Sequence, residues 1–155
     1  VCDADITKIA TDTVRFLQES AKERGLTLSA QVSPGAESMM AKLDVPKINE
    51  VLVNLIDNSI KYTPSGTIAV TVEKVGSHGR VIIKDTGVGM TPKTMRGLFK
   101  LFSPGEGSKK INPSSTGIGM YVSKAHVEAH QGTLTAYSEG EGKGSQFVLD
   151  LPLLP

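Results

Sequence analysis

The chain reads as an α+β fold in two layers, a mostly antiparallel mixed sheet against three main helices. Three observations predict it. Apolar residues recur at helical spacing in three stretches and alternate or cluster in six shorter, strand-like ones, with the two kinds interleaved. Turn residues punctuate almost every junction between them. The length of 155 residues fits one domain over 1–155 with a full core.

The elements follow in order. In the region 1–40, a helix and a strand are expected. Asp3 or Asp5 can cap a helix in which Ile6, Ile9, Ala10, Leu17 and Ala21 repeat at helical spacing, and Gly25 can stop it. Leu26 to Val32 reads as a strand, Ser33-Pro34-Gly35 as a turn, and Met39 to Leu43 as a short strand. A second helix runs from Val45 to Tyr62 on the stripe Ile48, Val51, Leu52, Leu55 and Ile56, until Pro64-Ser65-Gly66 breaks it. Thr67 to Val75 alternates, Gly76-Ser77-His78-Gly79 turns the chain, and Arg80 to Lys84 returns it as a hairpin that leaves His78 exposed. A short helix is expected around Lys93 to Phe99. Residues 103–116 hold Pro104, Gly105, Gly107 and Pro113 and little that could pack, so they read as a mobile loop. Gly117 to Gln131 is the third helix, followed by strands at Thr133 to Tyr137 and Gln146 to Leu151.

Composition narrows the function classes. Lys and Arg total 17 against 16 Asp and Glu, a net charge of +1 that gives no footprint for nucleic acid. The single Cys2 excludes internal disulfides and multi-cysteine metal sites. No apolar run approaches the roughly 20 residues of a membrane helix, so no direct membrane contact is expected. The chain opens on Val1, as an excised piece of a longer protein would. Of the 16 glycines, eleven lie between Gly87 and Gly144, more clustering than ordinary turns require.

Two features point to chemistry. The second helix carries Glu50, Asn54 and Asn58 four apart, with Lys61 three later, stacked on one face. Asn is a poor helix former. Two in one stripe call for compensation, and amide oxygens can hold a hard cation while Lys61 meets a phosphate. Then Asp85-Thr86-Gly87-Val88-Gly89-Met90 follows a strand, and Thr116-Gly117-Ile118-Gly119-Met120 opens a helix. Paired glycines allow close backbone approach, and a helix start offers free N–H groups to an anion. Neither turn has the third glycine of a dinucleotide fingerprint, and there is no phosphate loop ending in Gly-Lys-Ser/Thr. The sets His-Arg-Asp and Asp-Phe-Gly are also absent. His126 and His130 in HVEAH are four apart but lack the zinc-protease order His-Glu-x-x-His.

The order of these motifs resembles the Bergerat ATP-binding fold of the gyrase, heat-shock chaperone, histidine kinase and mismatch-repair ATPases. Within it, the likeness is to the catalytic ATP-binding domain of bacterial sensor histidine kinases. NEVLVNLIDNSIKYTPSG looks like its N box (44–62), DTGVGM its G1 box (85–90), LFKLF its F box (98–102), and STGIGM its G2 box (115–120), with 103–116 as the ATP lid. The resemblance implies ATP and Mg²⁺ as cofactors. It implies that Asn58 holds Mg²⁺ against the phosphates with Asn54 lining the site, that Lys61 meets a phosphate, and that Tyr62 packs on adenine or ribose. Asp85 would accept from the adenine amine, Gly87 and Gly89 would let backbone approach the base, and Ser145 would support Asp85 through a water. Thr116, Gly117, Ile118 and Gly119 would bring the phosphates to a helix start. Met90 and Met120 would line the pocket. Phe99 and Phe102 would anchor the lid, where Ser103-Pro104 replaces the Arg of many relatives and Lys109 and Lys110 can substitute as cations.

Gyrase-like ATPases carry a general-base Glu where this chain has Asn54, and an amide takes no proton. The histidine kinases phosphorylate a His, normally followed by Glu or Asp, on a separate helical dimerisation domain. Here His78 precedes Gly79, His126 precedes Val127 and His130 precedes Gln131, so the acceptor lies outside this chain. The expected partners are that domain and, indirectly, a response regulator, and the expected location is cytoplasmic. A degenerate nucleotide-binding module and a gyrase-like ATPase are the alternatives.

Overall fold

The computed structural model describes residues 1–100 and 117–155. Its elements are β1 (Cys2–Asp5), α1 (Ile6–Glu23), β2 (Leu26–Val32), β3 (Met40–Leu43), α2 (Val45–Lys61), β4 (Gly66–Val75), β5 (His78–Asp85), α3 (Pro92–Gly97), α4 (Gly117–Ala129), β6 (Thr133–Tyr137) and β7 (Ser145–Pro152). Asp5 caps α1: its Oδ1 accepts the N–H of Thr7 at 3.0 Å and that of Met39 at 2.9 Å. Ile6, Ala10, Val14, Leu17 and Ala21 then recur every three or four residues and are buried. In α2, Asp44 caps the Lys47 N–H, Pro46 sits in the first turn, and Ile48, Val51, Leu52, Leu55 and Ile56 form the buried stripe.

Five strands pair in the order β2-β4-β5-β7-β6. Only β2 and β4 are parallel; the other pairs are antiparallel. The expected two-layer, mostly antiparallel mixed sheet is therefore present. Alternate residues from Ile68 to Val72 on β4, Val81 and Ile83 on β5, and Phe147 to Leu151 on β7 point into the core. Helices α1, α2 and α4 pack there, on one face of the sheet and against one another. The same register carries Asp85, at the end of β5, onto the core-facing side beside Ile68 and Ser145.

Three details differ from expectation. Cys2–Asp5 is a strand, paired antiparallel with β3 in a separate two-stranded sheet. The turn before β5 holds only Gly76 and Ser77, because Val75 pairs directly with His78. His78 is therefore a strand residue, half-buried, with Nδ1 2.5 Å from Asp150 Oδ1. The short helix α3 starts at Pro92, one residue earlier than expected, because the Thr91 hydroxyl caps the Thr94 N–H.

Candidate active site

The helix stripe comes first. α2 and α4 run side by side, and their polar groups meet at several heights. Asn58 is buried, and its Nδ2 donates to Met120 Sδ at 3.1 Å. Asn54 is half-buried, and its Nδ2 donates to Ser123 Oγ at 3.0 Å, with Met120 Sδ 3.8 Å away. Both amide nitrogens are thus committed to α4, and no hydrogen bond among the described residues engages either amide oxygen. Gly119 makes the close approach possible: a Cβ there would stand 3.1 Å from both Nδ2 and Oδ1 of Asn54. Two oriented, neutral amide oxygens on one helix face are a donor set that fits a hard cation such as Mg²⁺. Met120, expected to line the pocket, is fully buried beside these amides, and its Sδ accepts from them. Lys61 is held by Asp57 one turn back, at 3.2 Å, a surface pair worth about 0–1 kcal/mol.

At the C-terminal end of α2, one turn beyond Asn58, the chain meets the glycine turn. Asp85 is 5% exposed, and its Oδ1 accepts the N–H of Gly87 at 2.9 Å and of Ser145 at 3.1 Å. Burial pushes its pKa above the ordinary carboxylate value; the two N–H donors and the nearby Ser59 hydroxyl oppose that rise. Ser145 therefore supports Asp85 directly, and through its main chain. The Val88 N–H donates to the Tyr62 carbonyl at 3.0 Å, which ties the end of α2 to the turn. Any Cβ at Gly87 would overlap that same carbonyl. At Gly89 (φ +73°) it would overlap the Gly140 carbonyl. The close backbone approach that demands these two glycines is thus made by the protein's own carbonyls, not only by whatever enters the site. Met90 is buried, and its N–H donates to Ser138 Oγ at 2.9 Å. Ser138 Oγ in turn donates to the Gly144 carbonyl at 2.6 Å, so one buried hydroxyl joins the turn to the 140–144 hairpin.

Sequence reasoning missed Ser138, Ser123, Ser59 and Thr63, since a lone hydroxyl carries no periodic signal. It also missed a groove of about 440 Å³ between α3 and α4, where Arg96, Lys100 and Lys124 gather beside Met95, Phe99 and Tyr121. Lys124 Nζ lies 4.8 Å from the centre of the Phe99 ring. Gly117 and Ile118 open α4. Phe102, Lys109, Lys110, Thr116 and the expected lid over 103–116 lie outside the described residues. The spacing of HVEAH serves the backbone: His130 Nδ1 donates to the His126 carbonyl at 2.7 Å, and Nε2 accepts the Asp44 N–H at 3.0 Å. One histidine thereby joins the end of α4 to the cap of α2.

Comparison with known proteins places this geometry in context. The family described as histidine kinase-, DNA gyrase B-, and HSP90-like ATPase matches residues 43–155. Hybrid signal transduction histidine kinase D of Dictyostelium discoideum is 35% identical over 141 residues, 87% of this chain and 9% of that protein. Sensor protein SrrB of Staphylococcus aureus is 36% identical over 110 residues, 70% of this chain and 19% of that protein. The chain thus spans a fifth or less of these relatives. Among solved structures, full-length ShkA in complex with AMPPNP superposes with a TM-score of 0.82 at 22% identity, over 98% of this chain and 31% of that one. The catalytic domain of histidine kinase ThkA gives 0.79 at 20% identity, over 97% and 93%. These two establish the shared fold. The match over 43–155 makes this chain a member of the histidine kinase-, DNA gyrase B-, and HSP90-like ATPase family.

Proposed function

We propose that this chain is the ATP-binding, phosphoryl-donor part of a longer sensor kinase. It binds Mg·ATP and presents the γ-phosphoryl to a His on a separate helical dimerisation domain, from which it passes to a response regulator. The observation that carries this reading is the pair of amides at Asn54 and Asn58, held by α4 on the helix whose C-terminal end is tied to the glycine turn after buried Asp85. The relatives are named a hybrid signal transduction histidine kinase and a sensor protein, and the ShkA structure is a complex with AMPPNP, which supports the ligand.

Each residue then has a chemical task. Mg²⁺, when bound, would supply positive charge that offsets the negative charge developing on transfer. Asn58 Oδ1 is its protein donor, with Asn54 beside it. Lys61 exchanges its Asp57 partner for a phosphate, and Tyr62 packs on the base or ribose. Asp85 accepts from the adenine amine, a charge-assisted bond worth about 1.5–3 kcal/mol. Residues 115–120, with Thr116, Gly117, Ile118 and Gly119, bring helix N–H groups to the phosphates. Phe102, Lys109 and Lys110 act from the 103–116 side. Position 54 separates this reading from a self-contained ATPase: an amide that donates to Ser123 cannot serve as a general base. The parent's need for ATP places this domain on the cytoplasmic side; among the described residues no helix is long and apolar enough to cross a membrane.

The test is calorimetric titration of the chain with ATP, with and without MgCl₂, beside incubation with γ-labelled ATP. Expected are Mg²⁺-dependent ATP binding, GTP binding at least about tenfold weaker, no label on the chain's own histidines, and negligible release of phosphate. Absence of ATP binding would overturn the reading, and rapid turnover would replace it with the ATPase.

A further inference from the structure

Asp85 is held from two directions. The Gly87 N–H that donates to its Oδ1 lies two residues on, in the same turn, and moves with it. The Ser145 N–H reaches the same oxygen at 3.1 Å from the start of β7, 60 residues away in sequence. There Asp85 and Ser145 face each other at the end of the β5–β7 ladder. Both donors fall on Oδ1, so neither occupies Oδ2, the oxygen left to accept from a ligand. The Ser145 donor is therefore what fixes the carboxylate against a second strand.

That N–H belongs to the peptide unit whose carbonyl is Gly144, and the carbonyl side of the unit is held too. Ser138, 4% exposed, donates its hydroxyl to the Gly144 carbonyl at 2.6 Å. The Gly140 carbonyl stands 3.1 Å away, but a hydroxyl has one proton, and the shorter contact takes it. The hydroxyl oxygen in turn accepts the N–H of Met90 at 2.9 Å and that of Gly140 at 3.2 Å. From Met90 N–H to Ser138 Oγ–H, to the 144–145 peptide, to Asp85, every bond points the same way. Hydrogen bonds chained like this polarise one another. The peptide needs the hold. Gly144 has φ +72°, and a Cβ there would overlap the Asp85 carbonyl, so glycine is required at a place where it leaves the adjoining peptide free to turn.

We propose that Ser138 is a positioning residue for Asp85: its hydroxyl fixes the 144–145 peptide with the N–H turned to the carboxylate, and so sets the group that meets the ligand. What this does for nucleotide binding rests on the ATP reading above; what it does for the carboxylate does not.

The test follows the carboxylate itself, by NMR of the Asp85 carboxyl carbon against pH in the unliganded protein. Burial raises the Asp85 pKa, and the Gly87 and Ser145 N–H groups and the Ser59 hydroxyl oppose the rise, with no charged side chain among the causes. In the parent, the Met90 amide proton should titrate with the same midpoint, because it joins the chain through Ser138. The Gly142 N–H, which donates to the Val88 carbonyl at 2.7 Å outside that chain, should move less. In Ser138→Ala the Asp85 midpoint should rise further, since the opposing Ser145 donor is loosened, and Met90 should no longer follow it. ATP affinity by calorimetry should fall about three- to tenfold. Ser138→Thr, which keeps the hydroxyl, should restore both. A Met90 amide that moves no more than that of Gly142 overturns the proposal in the parent protein, whether or not the Ala variant folds. So does an unmoved Asp85 midpoint in a folded Ala variant, which would leave Ser138 a packing residue. A chain that shows the linked titration and binds no ATP would overturn the nucleotide reading alone.

Discussion

Along the seam between α2 and α4, the amide nitrogens of Asn54 and Asn58 already have partners, Ser123 and Met120, and among the described residues only the amide oxygens are left over. At the end of β5 the accounts differ: a buried carboxylate has two N–H groups on one oxygen, and of the two buried hydroxyls nearby, Ser59 favours its charged form while Thr63 has no partner. The amide nitrogens of the seam are bonded without a ligand, so they hold the fold and shape the site at once. The floor around Asp85 is incomplete without one, and burying it costs stability. Substitutions in the two places should therefore move unliganded stability in opposite directions while both weaken binding.

Asp85→Asn should give the largest effect on binding, a loss of ATP affinity of at least about tenfold, measured by calorimetry. Its amide oxygen can still accept from Gly87 and Ser145, so the turn is retained and no charge is buried. The unliganded variant should then be more stable than the parent at neutral pH. The pH dependence has a definite sign. Because the folded pKa of Asp85 is raised, the native state binds its proton more tightly than the unfolded chain does. The parent's stability should fall as pH rises from the ordinary carboxylate range through the raised value, and below that range the residue contributes nothing. The advantage of the Asn variant in thermal unfolding should accordingly be small near pH 4 and larger at pH 7. A gap that does not change with pH would mean that Asp85 is not raised.

Asn58→Ala tests the seam with the opposite expectation. It deletes a buried amide and its bond to Met120 Sδ, so unfolding in denaturant should show a loss of about 1–2 kcal/mol. ATP binding should lose its dependence on Mg²⁺. If that dependence persists, the cation is held elsewhere.

The same contrast separates what the sequence reveals from what it hides. The Asn stripe is legible because a helix repeats every 3.6 residues, so positions 54 and 58 must share a face wherever α2 packs. The apolar stripe from Ile48 to Ile56 was legible for the same local reason, whereas the Asp44 cap was not read. The strand Cys2–Asp5 was not legible, since four residues are too short a run to read, Asp is disfavoured in strands, and their pairing partner lies some 40 positions away. The need for glycine at 87 and 89 was visible, but its cause was not: the Tyr62 and Gly140 carbonyls that crowd them arrive from other parts of the chain. Ser145 acts through its N–H, which every residue but proline has, so its side chain carried no signal for that contact. Thr63 and Ser59 became conspicuous only once burial was known, because an exposed hydroxyl is ordinary and a buried, unpartnered one is not.

The smallest effect should come from Ser123→Ala, which leaves both asparagines in place and removes only the oxygen that orients Asn54. Ser123 is buried and lies on α4 opposite α2, away from the Asp85 floor. Without Ser123 Oγ, the Asn54 amide nitrogen keeps only the 3.8 Å approach to Met120 Sδ, a weak acceptor. Asn54 is half-buried, so its amide can turn toward water rather than stay unpaired, which limits the loss of stability to about 0.5–1.5 kcal/mol. A freed amide presents nitrogen as readily as oxygen to a cation, so Mg²⁺-dependent ATP affinity should fall by about threefold, or roughly 0.6 kcal/mol. ATP binding without Mg²⁺ should not change. If Ser123→Ala weakened both conditions equally, Asn54 would be serving the packing of α4 and not the cation, and the seam would lose its claim to be half of the site.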